Sequence, residues 1–214
     1  MEDTNTNSNH IAVFDLDGTI TSKDTYLEFI KYVNGTFRFY LGLVALSPYV
    51  ILFYLGIIKN QRLKELFFSY YLSNHGYKEI EKKGQEFSEK VLPSLCRESA
   101  SIVLSWHTVK KHDIMILTAS SGLWLKKWCD SKGYILIGTE FERTDDRFTG
   151  SIDGLNCYGN QKRSLLENYL KGKKYSYTYG YGDRASDRYF LELVDEPYLM
   201  ALTPKNVTEY WNKQ

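Results

Sequence analysis

Short apolar runs alternate with helix-spaced stretches along the chain. Residues 11–14, 114–117, 135–137, 175–181 and 198–202 predict strands, and residues 122–131, 162–170 and 187–193 predict helices between most of them. This alternation specifies an α/β fold, a parallel sheet covered on both faces through right-handed crossovers. Residues 141–154 are turn-rich (Thr144-Asp145-Asp146, Thr149-Gly150, Asp153-Gly154) and predict a hairpin excursion. One interval breaks the rhythm: residues 25–112 are helical in pattern and predict an inserted lobe over the carboxyl edge of the sheet. The chain therefore divides into a polar, loose tail (1–10), a core built from 11–24 and 113–214, and the helical insertion 25–112.

Within the insertion, residues 39–58 carry no charge. Their length is that of a membrane span. Pro48 is expected to kink or split a helix there. Both flanks are basic (Lys31, Arg38; Lys59, Arg62, Lys64), so no charge asymmetry sets an orientation. A single crossing would also separate Asp15 and Asp17 from every later polar motif. Two arrangements remain, a helical hairpin buried in the insertion or in a dimer, and a hairpin dipping into one leaflet as a monotopic anchor.

Composition narrows the class further. The 214 residues are 43% hydrophobic and 25% charged, which is globular rather than disordered. The formal net charge of +1, with scattered basic residues, gives no electrostatic footprint for nucleic acid. Cys96, Cys129 and Cys157 are odd in number and far apart, which suggests incidental thiols in a reducing compartment. Residues 1–10 lack an apolar core, so a cytoplasmic location is expected, with the inner face of a membrane as the alternative that residues 39–58 allow.

Four segments carry candidate chemistry. Asp15 and Asp17 follow the first apolar run in Phe14-Asp15-Leu16-Asp17-Gly18-Thr19. Alternate strand residues share a face, so both carboxylates converge at the strand end, where open α/β sheets place their sites. The second predicted strand ends in Thr118-Ala119-Ser120-Ser121-Gly122 and opens a helix, a setting that suits an anion or a simple N-cap. Lys162 lies in a first helical turn, against the macrodipole, which hints at a bound phosphate; a solvated lysine is the plainer reading. Last comes Gly180-Tyr181-Gly182-Asp183-Arg184-Ala185-Ser186-Asp187. Carboxylates gathered this way repel unless a cation neutralises them, and hard oxygen donors favour Mg²⁺. No Gly-x-x-x-x-Gly-Lys loop occurs.

In this order the segments resemble the haloacid dehalogenase superfamily of phosphohydrolases, over most of residues 11–202. The helical insertion and the Cys157-x-Gly159-x-x-Lys162 stretch are similar to its phosphoserine-phosphatase-like subgroup. The uncharged segment and the Gly-Tyr-Gly-Asp ending resemble the phosphatidylglycerophosphatase C group within it. The resemblance implies a Rossmann-like parallel sheet with a small helical cap of the C1 type after the first strand. It also implies a Mg²⁺-dependent phosphomonoesterase. Asp15 would be the nucleophile and Asp17 the general acid and base. Mg²⁺ would sit on Asp15, the Asp17 backbone carbonyl and Asp183, with Asp187 orienting that set. Thr118 and Lys162 would bind the phosphoryl oxygens. Asp24 and Arg184 would face the substrate, a phosphorylated lipid such as phosphatidylglycerophosphate or a small phosphorylated metabolite. Asp24 reads equally as an N-cap. A membrane-associated binding protein with an idle site, or a transferase to an acceptor other than water, would use the same residues.

Overall fold

The computed structural model describes residues 9–144 and 147–211. Most of the expected N-terminal tail (1–8) and the 145–146 turn of the expected hairpin lie outside the described residues. In chain order, β1 (His10–Phe14) is followed by α1 (Thr25–Asn34), α2 (Thr36–Tyr54), α3 (Asn60–Leu72), α4 (Tyr77–Lys90), the single turn α5 (Leu92–Leu95) and α6 (Glu98–Val109). Then come β2 (Asp113–Ser121), α7 (Gly122–Lys132), β3 (Ile135–Thr139), β4 (Phe141–Thr144), β5 (Arg147–Ile152) and α8 (Asn160–Leu170). The chain continues with β6 (Tyr177–Gly182), a 3-10 turn (Ala185–Asp187), α9 (Arg188–Leu191), β7 (Glu196–Leu199) and α10 (Pro204–Trp211).

Five strands form one parallel sheet in the order β3-β2-β1-β6-β7, and β4 and β5 make a separate antiparallel hairpin. The central β1 is buried on both faces, and the two-residue period divides its side chains. Ile11 and Val13, with Met115 and Leu117, pack beneath Leu166 of α8 and Phe190 and Leu191 of α9. Ala12 and Phe14 face the opposite layer with Ile114, Ile116, Val103 and Leu104. There the His107 ring of α6 meets Phe14 edge-on at 5.8 Å, so the last helix of the insertion interval covers the sheet itself. The same apolar cluster runs on into Phe29, Phe68, Phe87 and Trp124, so helices α1–α4 share one continuous core with the sheet.

Two expectations are corrected. The last strand lies at Glu196–Leu199 rather than at 198–202. Its register is set by pairing with β6 (Tyr179↔Glu196, Tyr181↔Tyr198). Pro197 is tolerated because β7 is an edge strand. Leu202 is buried beyond the strand, its carbonyl accepting the Ser99 hydroxyl.

The second correction concerns Pro48, which neither splits its helix nor makes a hairpin of it. The helix α2 is unbroken from Thr36 to Tyr54. Proline removes the N–H that would bond the Val44 carbonyl. The Ser47 hydroxyl donates to that same oxygen at 2.8 Å and replaces the missing bond. One stripe of α2 (Phe39, Gly42, Leu46) is buried. Gly42 lies so close to the Tyr71 ring that a Cβ has no room, and the Tyr71 hydroxyl donates to the Phe39 carbonyl at 2.5 Å. The opposite stripe (Phe37, Leu41, Val44, Ile51, Leu55) is exposed, Val44 by 72%. The helix is 19 residues long with a mean hydropathy of 1.5, and only 17% of its apolar window is buried. Gly42→Ala should destabilise the protein by about 1–3 kcal/mol in urea unfolding, the cost of overpacking. Unchanged or higher stability would mean that α2 does not sit this tightly on α3.

Candidate functional site

The end of β1 is held by a backbone bond from the Asp15 N–H to the Tyr181 carbonyl at 2.8 Å, which extends the ladder to β6. The chain then turns sharply, with the Ile20 and Thr21 N–H groups both bonded to the Leu16 carbonyl. Gly18 has φ +97°, a region that disfavours side chains, and a Cβ there would strike the Asp183 carboxylate. Gly182 likewise makes room for Asp187, whose Cβ lies where a side chain would begin. Gly180 is equally tight, a Cβ there meeting Leu191 and Val194, so both glycines of β6 serve close approach within a strand.

Lys162 is not the solvated lysine of the plainer reading. It is 3% exposed, and its ammonium lies 2.5 Å from Asp15 Oδ1 and 2.8 Å from Asp187 Oδ1. Asp187 Oδ2 accepts the Arg184 N–H at 3.0 Å, so both of its oxygens are engaged. The Thr19 hydroxyl sits between Asp15 Oδ2 (3.4 Å) and Asp183 Oδ1 (3.2 Å). Asp17 is gripped twice, by the Thr25 N–H at 2.7 Å on Oδ1 and by the Ser120 hydroxyl at 2.6 Å on Oδ2.

Asp15, Asp17, Lys162, Asp187, Asp24 and Arg184 all line one cavity of about 390 Å³. Thr118 is not on its wall. Its hydroxyl oxygen is fully buried and accepts the Ser120 N–H at 3.0 Å, while Ala119 and Ser120 face the cavity and Ser121 caps α7. Asp24 is the N-cap of α1, accepting from Tyr26 N–H (3.1 Å) and Leu27 N–H (3.4 Å), and also faces the cavity.

Lys64, which by sequence is one of the basic flanks of the apolar segment, points into the site. Its ammonium donates to the Ala119 carbonyl (2.8 Å) and to Asn156 Oδ1 (3.2 Å), tying α3 to the end of β2 and to the segment before α8. Asn156 also donates to Asn60 Oδ1 at 2.7 Å. The residues that sequence reasoning misses here are Lys64, Thr25, Ser120 and Asn156. Beside Lys59 and Arg62 nothing local in the sequence sets Lys64 apart.

The electrostatics follow from burial. Removal from water pushes the Asp15 carboxyl up to about 7, reinforced by Asp187 and Asp17 and opposed by Lys162. Burial also opposes the charge on Lys162, but Asp15 and Asp187 outweigh it and hold its pKa above the ordinary lysine value. Burial pushes Asp24 up to about 6, aided by Asp17 and resisted by Lys64 and Arg184. Burial brings Lys64 down to about 8 against the pull of Asp24 and Asp17. Asp183 is raised by burial. Asp15, Asp183 and Asp187 offer oxygens all within 4.8 Å of one another, enough to hold a cation. Asp187 already spends both oxygens on Lys162 and Arg184, which leaves Asp15 Oδ2 and Asp183 as the freer donors.

A parallel α/β sheet with paired carboxylates, a buried lysine and an acidic cluster at its carboxyl edge defines a class of hydrolase. Residues 12–192 match the haloacid dehalogenase-like hydrolases, and the chain belongs to that family. Protein CicA of Caulobacter vibrioides is 31% identical over 188 residues, 87% of this chain and 83% of CicA. A Bordetella pertussis Tohama I protein of unknown function has the same fold, with a TM-score of 0.77 at 20% identity and 96% of each chain covered. A phospho-aspartyl intermediate analogue of phosphoserine phosphatase superposes with a TM-score of 0.63 at 13% identity, over 94% of this chain and 90% of that one.

Proposed function

We propose that the protein is a Mg²⁺-dependent phosphomonoesterase acting through an aspartyl-phosphate, with a lipid phosphate such as phosphatidylglycerophosphate as substrate. The observation that carries the lipid reading is the cavity itself. Its lining joins Asp15, Asp17 and Lys162 to an apolar wall of Leu43, Val50 and Tyr54 of α2 with Leu63 and Phe67 of α3. The helix α2 that supplies much of this wall is the one with an exposed apolar stripe. A phosphate beside Asp15 and Lys162 would leave an apolar tail against α2, toward a bilayer surface.

In this reading the Asp15 carboxylate attacks phosphorus as the bond to the leaving oxygen breaks, and Asp17 supplies that oxygen's proton. Asp17 then takes a proton from the water that hydrolyses the aspartyl-phosphate. Lys162 holds Asp15 in line and neutralises phosphoryl charge, while Thr118, off the cavity wall, supports the turn that presents Ala119 and Ser120 to it. Asp15, the Asp17 carbonyl and Asp183 would hold Mg²⁺, with Asp187 fixed alongside through Lys162. The hard oxygen donors suit that ion, and when bound it supplies Lewis-acid stabilisation of the transferring group. The charge balance of the site agrees. Five carboxylates (Asp15, Asp17, Asp24, Asp183, Asp187) meet three cations (Lys64, Lys162, Arg184), a formal excess of two negative charges. The likeness to phosphoserine phosphatase supports the small-metabolite alternative, in which the α2 stripe is covered by protein.

The test is phosphate release from phosphatidylglycerophosphate in mixed micelles and from phosphoserine, each with Mg²⁺ and with EDTA. Mg²⁺-dependent release from the lipid is expected, and preference for phosphoserine would overturn the lipid reading. Val44→Glu with Ile51→Glu should cut release from lipid vesicles by roughly 10-fold or more, since each removes apolar burial at the bilayer. Equal rates on vesicles would place the stripe away from lipid.

Cation binding has its own pH signature. Asp15 rises from 3.8 to about 7 on folding. An acid so shifted contributes stability that is complete below its unfolded value and lost as pH climbs through its folded one. Mg²⁺ should therefore raise the melting temperature by several degrees at pH 8 and hardly at pH 5. Equal shifts at both pH values would separate the ion from these carboxylates.

A further inference from the structure

The Asp17 carboxyl stands in a closed ring of hydrogen bonds that the reaction itself does not require. Thr25 reaches one of its oxygens directly and the other through Ser120. The Thr25 N–H donates to Oδ1 at 2.7 Å, and the Thr25 hydroxyl lies 2.9 Å from the Ser120 hydroxyl, which is 2.6 Å from Oδ2. The indole N–H of Trp124 closes the outer end, donating to the Thr25 oxygen at 3.3 Å. Thr25, Ser120 and Trp124 are all at most 1% exposed, so the ring is largely screened from bulk water.

Proton counting gives the chain a direction. An indole N–H only donates, and each hydroxyl has one proton to give. Thr25 Oγ1 accepts from Trp124, so its own proton has Ser120 as its one hydrogen-bond acceptor here. The Ser120 proton is then left for Asp17. With Asp17 ionised, the state that takes a proton from water, every link points toward the carboxylate; when Asp17 carries the proton, the Thr25–Ser120 hydroxyl pair can reverse.

We infer that Ser120, Thr25 and Trp124 are positioning residues that lock the rotation of the Asp17 carboxyl, so that its remaining lone pairs face the cavity. The inference rests on the acid/base reading of Asp17 and extends it. Thr25 is the first residue of α1, the start of the helical insertion, and Trp124 belongs to α7 of the core. The ring therefore ties the seating of the insertion to the orientation of the proton donor. Misplacement of a reacting group by about 1 Å can cost 10²-fold, so loss of one link is expected to be felt in chemistry rather than in binding.

The test separates proton delivery from general damage. An alkyl phosphate needs a proton on its leaving oxygen; p-nitrophenyl phosphate already has a good leaving group. The kcat/KM values for glycerol 3-phosphate and p-nitrophenyl phosphate report the step in which that group departs, not the later hydrolysis. With saturating Mg²⁺, Ser120→Ala and Thr25→Val should each lower the alkyl-to-aryl ratio of kcat/KM by roughly 10-fold or more, within the range of acid–base effects. Thr25→Ser keeps the hydroxyl and should restore the ratio. A structural role alone lowers both substrates alike and leaves the ratio unchanged, and that outcome in both variants overturns the inference. Asp17→Asn is run beside them. If its ratio falls while theirs do not, the positioning chain is wrong and the acid reading stands. If its ratio is also unchanged, the acid reading itself falls and the chain with it.

Discussion

Asparagine at position 15 is expected to abolish phosphate-ester turnover, by on the order of 10⁵–10⁶-fold, the scale on which loss of a nucleophile is felt. The fold should survive. Asparagine has the shape of aspartate, and Lys162 keeps its second partner, Asp187, at 2.8 Å. The ionised form of Asp15 is disfavoured by burial, its pKa being pushed up to about 7, so removing its charge near neutral pH deprives the folded state of little. Acid quenching of wild type during turnover of a ³²P-labelled ester should trap labelled protein, and the variant should trap none. Turnover within tenfold of wild type, or label on the variant, would take the nucleophile's role from Asp15.

Replacing Lys162 with methionine should do the reverse to stability. The ammonium is the one hydrogen-bonding cation on both Asp15 Oδ1 and Asp187 Oδ1 among the described residues. Without it two carboxylates share an almost waterless site with Asp183 nearby. Removing one partner of a buried pair costs about 3–5 kcal/mol, the carboxylates left behind either staying charged in a buried site or taking up a proton to avoid it. Chemical denaturation of the metal-free variant should show a loss of that size together with loss of turnover. Adding Asp15→Asn to Lys162→Met should recover part of the stability and none of the activity, a non-additivity that contacting residues produce. A Lys162→Met protein as stable as wild type would mean that the carboxylates near it are neutral.

Much of this site is legible in the amino-acid sequence because it is local. Asp15 and Asp17 announce themselves by an apolar run and a Gly-Thr turn in one hexapeptide, and Asp183 and Asp187 by their place after an alternating strand. Roles that depend on distant parts of the chain leave no such mark. Lys64, Thr25 and Ser120 act on groups 55 to 103 positions away, and their roles appear only when α1 and α3 are seated on the sheet. The strand end points to Thr118, yet its hydroxyl oxygen is taken up by Ser120 within that same turn. Pro48 reads as a break because the compensating donor, Ser47, is invisible to hydropathy. The last strand is misplaced by its apolar run, which marks burial, whereas the ladder to β6 decides the pairing.

The position of β1 at the middle of the sheet has a consequence for how the chain is made. β1 emerges first from the ribosome, yet its two neighbours are β2 and β6, and β6 ends at Gly182. At typical synthesis rates the interval between α2 and β6 is on the order of 10 s. Through that time the nascent chain holds a finished helix α2 with an exposed apolar stripe and at most three of the five strands of the sheet. Strand pairings this distant in sequence are intrinsically slow to form. The partly made protein is therefore the species most exposed to capture, since α2 is complete well before β6 can close the sheet.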